Sequence, residues 1–141
     1  MKPISPTMHG VLDYLVCAFF ALAPTLFNLG GAYATACYVL AGGYLVISLL
    51  TNMPLGVARV IPFPVHGKLE LVSGLVLVAS PWLFGFANEN ETARNLFAAA
   101  GLVFLVVYLL TDWAGQTRET GHGRTISSAG TSPNPRNPGM A

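Results

Sequence analysis

Residues 66–86 read HGKLELVSGLVLVASPWLFGF, and residues 9–29 read HGVLDYLVCAFFALAPTLFNL. The two stretches start 57 positions apart and align without a gap. His9 matches His66, Gly10 matches Gly67, Leu12 matches Leu69, Pro24 matches Pro81, Leu26 matches Leu83 and Phe27 matches Phe84. An acid follows each His by four residues, Asp13 in the first copy and Glu70 in the second. Apolar composition produces chance Leu and Val matches, but it does not set a His-Gly, an acid and a Pro in phase. Further on the register shifts by three residues, and YLVISLLTN from Tyr44 falls on FLVVYLLTD from Phe104. The repeated unit is therefore two apolar segments long.

Those segments are too apolar for a water-soluble surface. The chain is 53% hydrophobic and only 9% charged, with a mean hydropathy of +0.58, whereas soluble domains are about a quarter charged. No Asp, Glu, Lys or Arg occurs between Tyr14 and Leu50, or between Leu71 and Asn88. A helix needs roughly 20 mostly apolar residues to cross hydrocarbon. Four segments qualify, at about 12–29, 32–50, 69–87 and 95–111. NLGG joins the first pair and NENETAR the second, so each pair predicts an antiparallel hairpin. A hairpin cannot bury both of its faces alone, and two can close into a bundle. The predicted fold is an all-α membrane protein: four transmembrane helices as two duplicated hairpins, in parallel repeat, forming a four-helix bundle.

The division that follows is an N-terminal segment 1–8, a first hairpin 9–52, a connecting loop 53–65, a second hairpin 66–113 and a tail 114–141. The loop carries three prolines among apolar and basic residues, which suits the bilayer surface. The tail is rich in Gly, Ser, Thr, Asn and Pro and predicts disorder. The N-terminus lacks the pattern of a cleaved signal peptide, so the first apolar segment reads as a retained helix. Lys2, Arg59, Lys68, Arg118, Arg124 and Arg136 fall on one side of this topology, and Arg94 stands on the other. That bias places both termini in the cytoplasm, most naturally at a bacterial inner membrane.

Ser80-Pro81-Trp82, outward in the first helix of a duplicated hairpin that opens with His-Gly, resembles the SPW-repeat family of small membrane proteins. The resemblance covers about residues 8 to 113. The first copy departs from it, with Ala23-Pro24-Thr25 in place of the triplet. The family implies membrane insertion and helical hairpins, and it brings no activity with it.

Candidate chemistry is confined to a few polar residues. His9 with Asp13, and His66 with Glu70, stand four apart on one helix face. Should the two helices be neighbours, two imidazoles and two carboxylates meet, a set able to bind a metal or pass protons. The plainer reading makes His-Gly a helix entry at the headgroups. Asp13 and Glu70 are then first-turn acids facing the positive end of the helix dipole, worth roughly 0.3–1 kcal/mol each. Pro24 and Pro81 should kink or end their helices, with the Ser80 hydroxyl serving a freed carbonyl and Trp82 in the outer interfacial belt. Trp113 and Tyr14 read as anchors on the inner side. Gly42, Gly43 and Gly101 read as small residues for close helix packing, inside the bundle or between copies. Cys17 and Cys37 stand alone in apolar runs and read as core residues.

No catalytic order, phosphate loop or HExxH appears. A haem between His9 and His66 would need ligands deeper than a first turn, so no cofactor is expected. No second polar layer is expected in the membrane either, which leaves little for a transporter to use. Net charge is near zero, which argues against nucleic acid. The partners expected are the lipid bilayer and either further copies or a larger membrane complex. The function asking least of the sequence is a structural or interaction module of the membrane. A metal-binding or proton- or redox-handling site at the His/acid pairs comes second, and a small transporter subunit third.

Overall fold

Helix α1 spans Pro6–Leu26, α2 Gly31–Leu50, α3 Phe63–Leu83 and α4 Glu91–Leu110 in a computed structural model that describes residues 2–114. All four are long and apolar enough to cross a membrane. The tail expected to be disordered lies, from residue 115 on, outside the described residues. Helix α1 packs along α2, and α3 along α4, giving two hairpins that close into one bundle. Large apolar side chains including Leu15, Leu22, Val39, Val72, Leu75, Leu83 and Leu109 point outward. Water would not tolerate such a face on a globular bundle, and lipid requires it. This is a multi-pass membrane protein.

The spans read from hydropathy are displaced at both ends. Helices α1 and α3 begin at Pro6 and Phe63, six residues before the expected starts at 12 and 69. Proline suits a first turn because the amide it lacks would have no helical partner there. Pro6 occupies that place in α1, and the Ser5 hydroxyl accepts from the Met8 amide at 3.2 Å as N-cap. Pro64, one of the three prolines assigned from sequence to the connecting loop, occupies the first turn of α3.

At the other end, α1 and α3 stop at Leu26 and Leu83 rather than 29 and 87. Pro24 and Pro81 stand in the last turns, after which Asn28 (φ 51°) and Gly85 (φ 78°) turn left-handed. Leu29 N–H then returns to Pro24 O at 2.9 Å, and Ala87 N–H to Pro81 O at 2.9 Å, closing the helix end by a backward bond. Pro81 cannot supply an amide to the carbonyl of Leu77. The Ser80 hydroxyl donates to that carbonyl at 2.8 Å. Ala23 has no hydroxyl to do the same for Phe20.

The four helices meet on Cys17, Phe20, Cys37, Tyr44, Leu77, Phe97 and Phe104. Phe104 lies 4.8 Å from the Tyr44 ring and 6.4 Å from Phe20, so the two hairpins share one aromatic centre. Gly101 sets the closest approach. A Cβ there would stand 2.6 Å from both Gly74 O and Val78 N. Among the described residues, a Cβ on Gly42 or Gly43 meets nothing within 4 Å.

The repeat extends further toward the N-terminus than residues 9 and 66. Ile61 pairs in parallel with Thr51 in a two-residue ladder, β1 (Thr51–Asn52) with β2 (Ile61–Pro62). Ile4 bridges Thr111 in the same parallel sense. In each case the residue entering one hairpin pairs with the residue leaving the other. The connecting loop folds inward here: Met53 and Phe63 are buried, and the Tyr14 hydroxyl donates to Leu55 O at 2.8 Å.

Candidate metal centre

The six-residue extension of α1 and α3 changes what the acids are. Asp13 and Glu70 are each the eighth residue of their helices, and neither helix has an acid in its first turn. The dipole reading is therefore corrected. Two turns in, the side chains face the bundle interior and are buried together with both imidazoles.

There the four side chains converge. His9 Nε2 lies 3.4 Å from Asp13 Oδ1 and 3.8 Å from Glu70 Oε2, while His66 Nε2 lies 3.3 Å from Asp13 Oδ2. The imidazole centroids are 5.4 Å apart and nearly perpendicular. Asp13 thus reaches both histidines, one oxygen to each, and its Oδ2 also accepts from the Ser48 hydroxyl at 3.2 Å. Among the described residues, His9 Nε2, His66 Nε2 and Glu70 Oε2 find no hydrogen-bond partner, although His9 is 0% and His66 1% exposed. Buried polar atoms are ordinarily paired, and each one left alone costs about 1–3 kcal/mol. Three such atoms fall within this one cluster.

The remaining ring nitrogens are held firmly. His9 Nδ1 is 2.9 Å from Thr111 Oγ1, and His66 Nδ1 is 2.9 Å from Thr51 Oγ1. Around the rings sits an apolar cover. Phe63 lies edge-on to His9 at 5.3 Å, and Trp113 lies 4.9 Å from His9 and 4.8 Å from Phe63. The repeated glycines make room for this cover. A Cβ at Gly67 would stand 2.8 Å from the Trp113 ring, and one at Gly10 would stand 3.3 Å from Leu55 and from Met53 Sδ. His-Gly is thus a ligand-type side chain followed by a gap for its lid. Trp113, read from sequence as an interfacial anchor, packs over the site and donates its Nε1–H to Tyr108 O at 2.9 Å.

The two His–Asp13 separations, 3.4 and 3.3 Å, suit neighbouring ligand atoms on a cation, while Glu70 stands further off, 3.8 Å from His9. Charge-assisted N–H···O bonds are about 2.7–2.9 Å long. Donors held about 2.0–2.1 Å from a tetrahedral metal stand about 3.3–3.4 Å from one another. His9, Asp13 and His66 each offer a ligand atom within 4.8 Å of the other two. Neither cysteine belongs to the site, for both lie free in the apolar core. Two imidazoles with carboxylates suit zinc, iron(II), manganese(II) or their neighbours, and lack the soft sulfur that copper(I) prefers. Were both carboxylates ionised beside two neutral imidazoles, their charge of −2 would be cancelled by a divalent ion.

Sequence reading missed Thr51, Thr111, Ser48, Phe63 and Met53 at this centre. The threonines carried a usable signal, since they fall in register within LLTN and LLTD. Deeper in the bundle, the buried Tyr44 hydroxyl lies near Ser73 and Glu70. Trp82 and Phe84 lie exposed at the opposite end, and the Ser-Pro-Trp triplet takes no part in the centre.

The chain matches the family model of the SPW repeat domain over residues 7–111. The chain belongs to that family. No curated protein and no solved structure matches it.

Proposed function

We propose that this SPW-repeat protein is a membrane-embedded binder of a divalent first-row transition-metal ion, held between its two repeats by His9, His66, Asp13 and Glu70. One observation carries the reading. Two fully buried imidazoles turn unpartnered Nε2 atoms toward a pair of carboxylates at 3.3–3.8 Å. A packing module has no use for such a cluster, because leaving buried polar groups unpaired works against folding. With one His and one acid from each repeat, the ion would bridge the hairpins where Ile4–Thr111 and Thr51–Ile61 already join them.

The centre lies at the end of the bundle that carries Lys2, Arg59 and Lys68, and this bias supports a cytoplasmic face for it in an inner membrane. At the other end Arg94 pairs with Glu91 at 2.9 Å. The test is titration of the purified, metal-stripped protein with cobalt(II), read by its visible d–d absorption. A saturable band of tetrahedral intensity at one equivalent is expected, with affinity falling at least tenfold in Asp13→Asn/Glu70→Gln. A wild-type protein that shows no saturable band refutes the reading and returns the cluster to architecture.

A further inference from the structure

Each of the two threonines beside the histidines has a single hydroxyl proton, and its use is visible. Thr51 Oγ1 lies 2.7 Å from the carbonyl of Ile47, and Thr111 Oγ1 lies 2.7 Å from the carbonyl of Val107. A carbonyl can only accept, so each hydroxyl donates its proton backward along its own helix. The 2.9 Å contact to the imidazole must then run the other way, with Nδ1–H donating to the threonine oxygen. A neutral imidazole protonated at Nδ1 keeps its lone pair on Nε2. In both rings Nε2 is the atom that faces the carboxylates.

The pairing is crossed between repeats. Thr111 ends the second hairpin and holds His9 of the first, while Thr51 ends the first hairpin and holds His66 of the second. Both threonines are 0% exposed, so water does not compete for the contact. The parallel pairings Ile4–Thr111 and Thr51–Ile61 fix the backbone of each threonine against the strand that enters the opposite hairpin.

We infer that Thr51 and Thr111 are the positioning residues of this centre, each locking the histidine of the opposite repeat in the Nδ1–H tautomer that leaves Nε2 free to bind metal. The inference rests on the reading of the cluster as a metal centre, and its first readout needs no metal. A ligand pair whose tautomers depend on docking of the other hairpin is complete only in the closed bundle. Closure of the two repeats is therefore what readies the centre for metal. Partners that orient the second nitrogen of a ligating histidine are commonly worth 10–100-fold in metal affinity.

The test uses the full chain in nanodiscs, labelled with nitrogen-15 histidine in a His122→Gln background so that only His9 and His66 report. In the metal-stripped protein both rings are expected to show Nδ1 protonated and Nε2 bare. Thr51→Val should release His66 alone, and Thr111→Val should release His9 alone. Thr51→Ser and Thr111→Ser, which keep the hydroxyl, should restore the wild-type spectrum. Cobalt(II) affinity should fall 10–100-fold in each valine variant and recover in the serine variants.

Nε2–H tautomers in the wild type would overturn the inference, and so would two doubly protonated rings held as ion pairs with the acids. A Thr51→Val effect on His9 in place of His66 would overturn it as well. Nδ1–H tautomers that follow the crossed pattern in a protein that takes up no cobalt would leave the threonine roles standing and refute the metal reading instead. Cobalt binding that is unchanged in both valine variants would do the reverse.

Discussion

Gly101→Ala should separate the two hairpins in their tolerance of a single methyl group. The added Cβ would stand 2.6 Å from Gly74 O and Val78 N and 2.8 Å from Val78 Cγ2. Carbon against a carbonyl oxygen ordinarily settles at about 3.3–3.6 Å, so α3 and α4 must part by about 0.7–1 Å at this crossing. Two of the three obstructing atoms are backbone, which no rotamer change can move. Overpacking of this kind costs about 1–3 kcal/mol, and the better helix propensity of alanine returns about 1 kcal/mol. A net loss of up to about 2 kcal/mol is expected.

Gly43→Ala is the matched control, since its Cβ meets nothing within 4 Å and it should gain up to about 1 kcal/mol. The assay is reversible unfolding in mixed micelles of rising SDS fraction, followed by circular dichroism. Gly101→Ala should unfold at a lower fraction than wild type, and Gly43→Ala at the same or a higher one. A Gly101→Ala protein as stable as Gly43→Ala would refute the close approach of α3 and α4. A destabilised Gly43→Ala would show instead that this face packs on another molecule.

Ser80→Ala should cost about 1–3 kcal/mol in the same assay, because it strands the Leu77 carbonyl that Pro81 cannot serve; no change would mean another group reaches that carbonyl. Gly67→Ala should push Trp113 off its seat beside His9, read as a shift in tryptophan emission that Gly10→Ala does not produce. Emission identical to wild type would place the indole elsewhere. Tyr44→Phe removes a buried hydroxyl that lies near Ser73 without a well-formed hydrogen bond and copies Phe104, its counterpart in the second repeat. It should leave stability unchanged or raise it by about 1 kcal/mol, and a clear loss would reveal a hydrogen bond at that hydroxyl.

The duplicated hairpin was legible because its markers are unlike their surroundings: a His, an acid and a Pro stand out in a run of Leu, Val and Ala. Helix ends were less legible. Hydropathy rises only at Leu12 and Leu69, whereas the helices start at Pro6 and Phe63, where local capping rather than apolar content decides. That six-residue difference turned two apparent dipole acids into buried members of a cluster. The facing of His9 and Asp13 onto His66 and Glu70 depended on which helices are neighbours, and a single sequence does not state that. Thr51 and Thr111 were hidden for a different reason. A threonine at the end of an apolar helix looks like a boundary residue, and only the crossed pairing of the repeats gives it a histidine to hold.

The central claim is best tested by elemental analysis of the protein purified from membranes without chelator, beside the His9→Ala/His66→Ala double variant, with circular dichroism to confirm that both are folded. The account expects close to one transition-metal ion per chain in the wild type and none in the folded variant. A wild-type protein free of metal, or a folded variant that keeps its full complement, would contradict it.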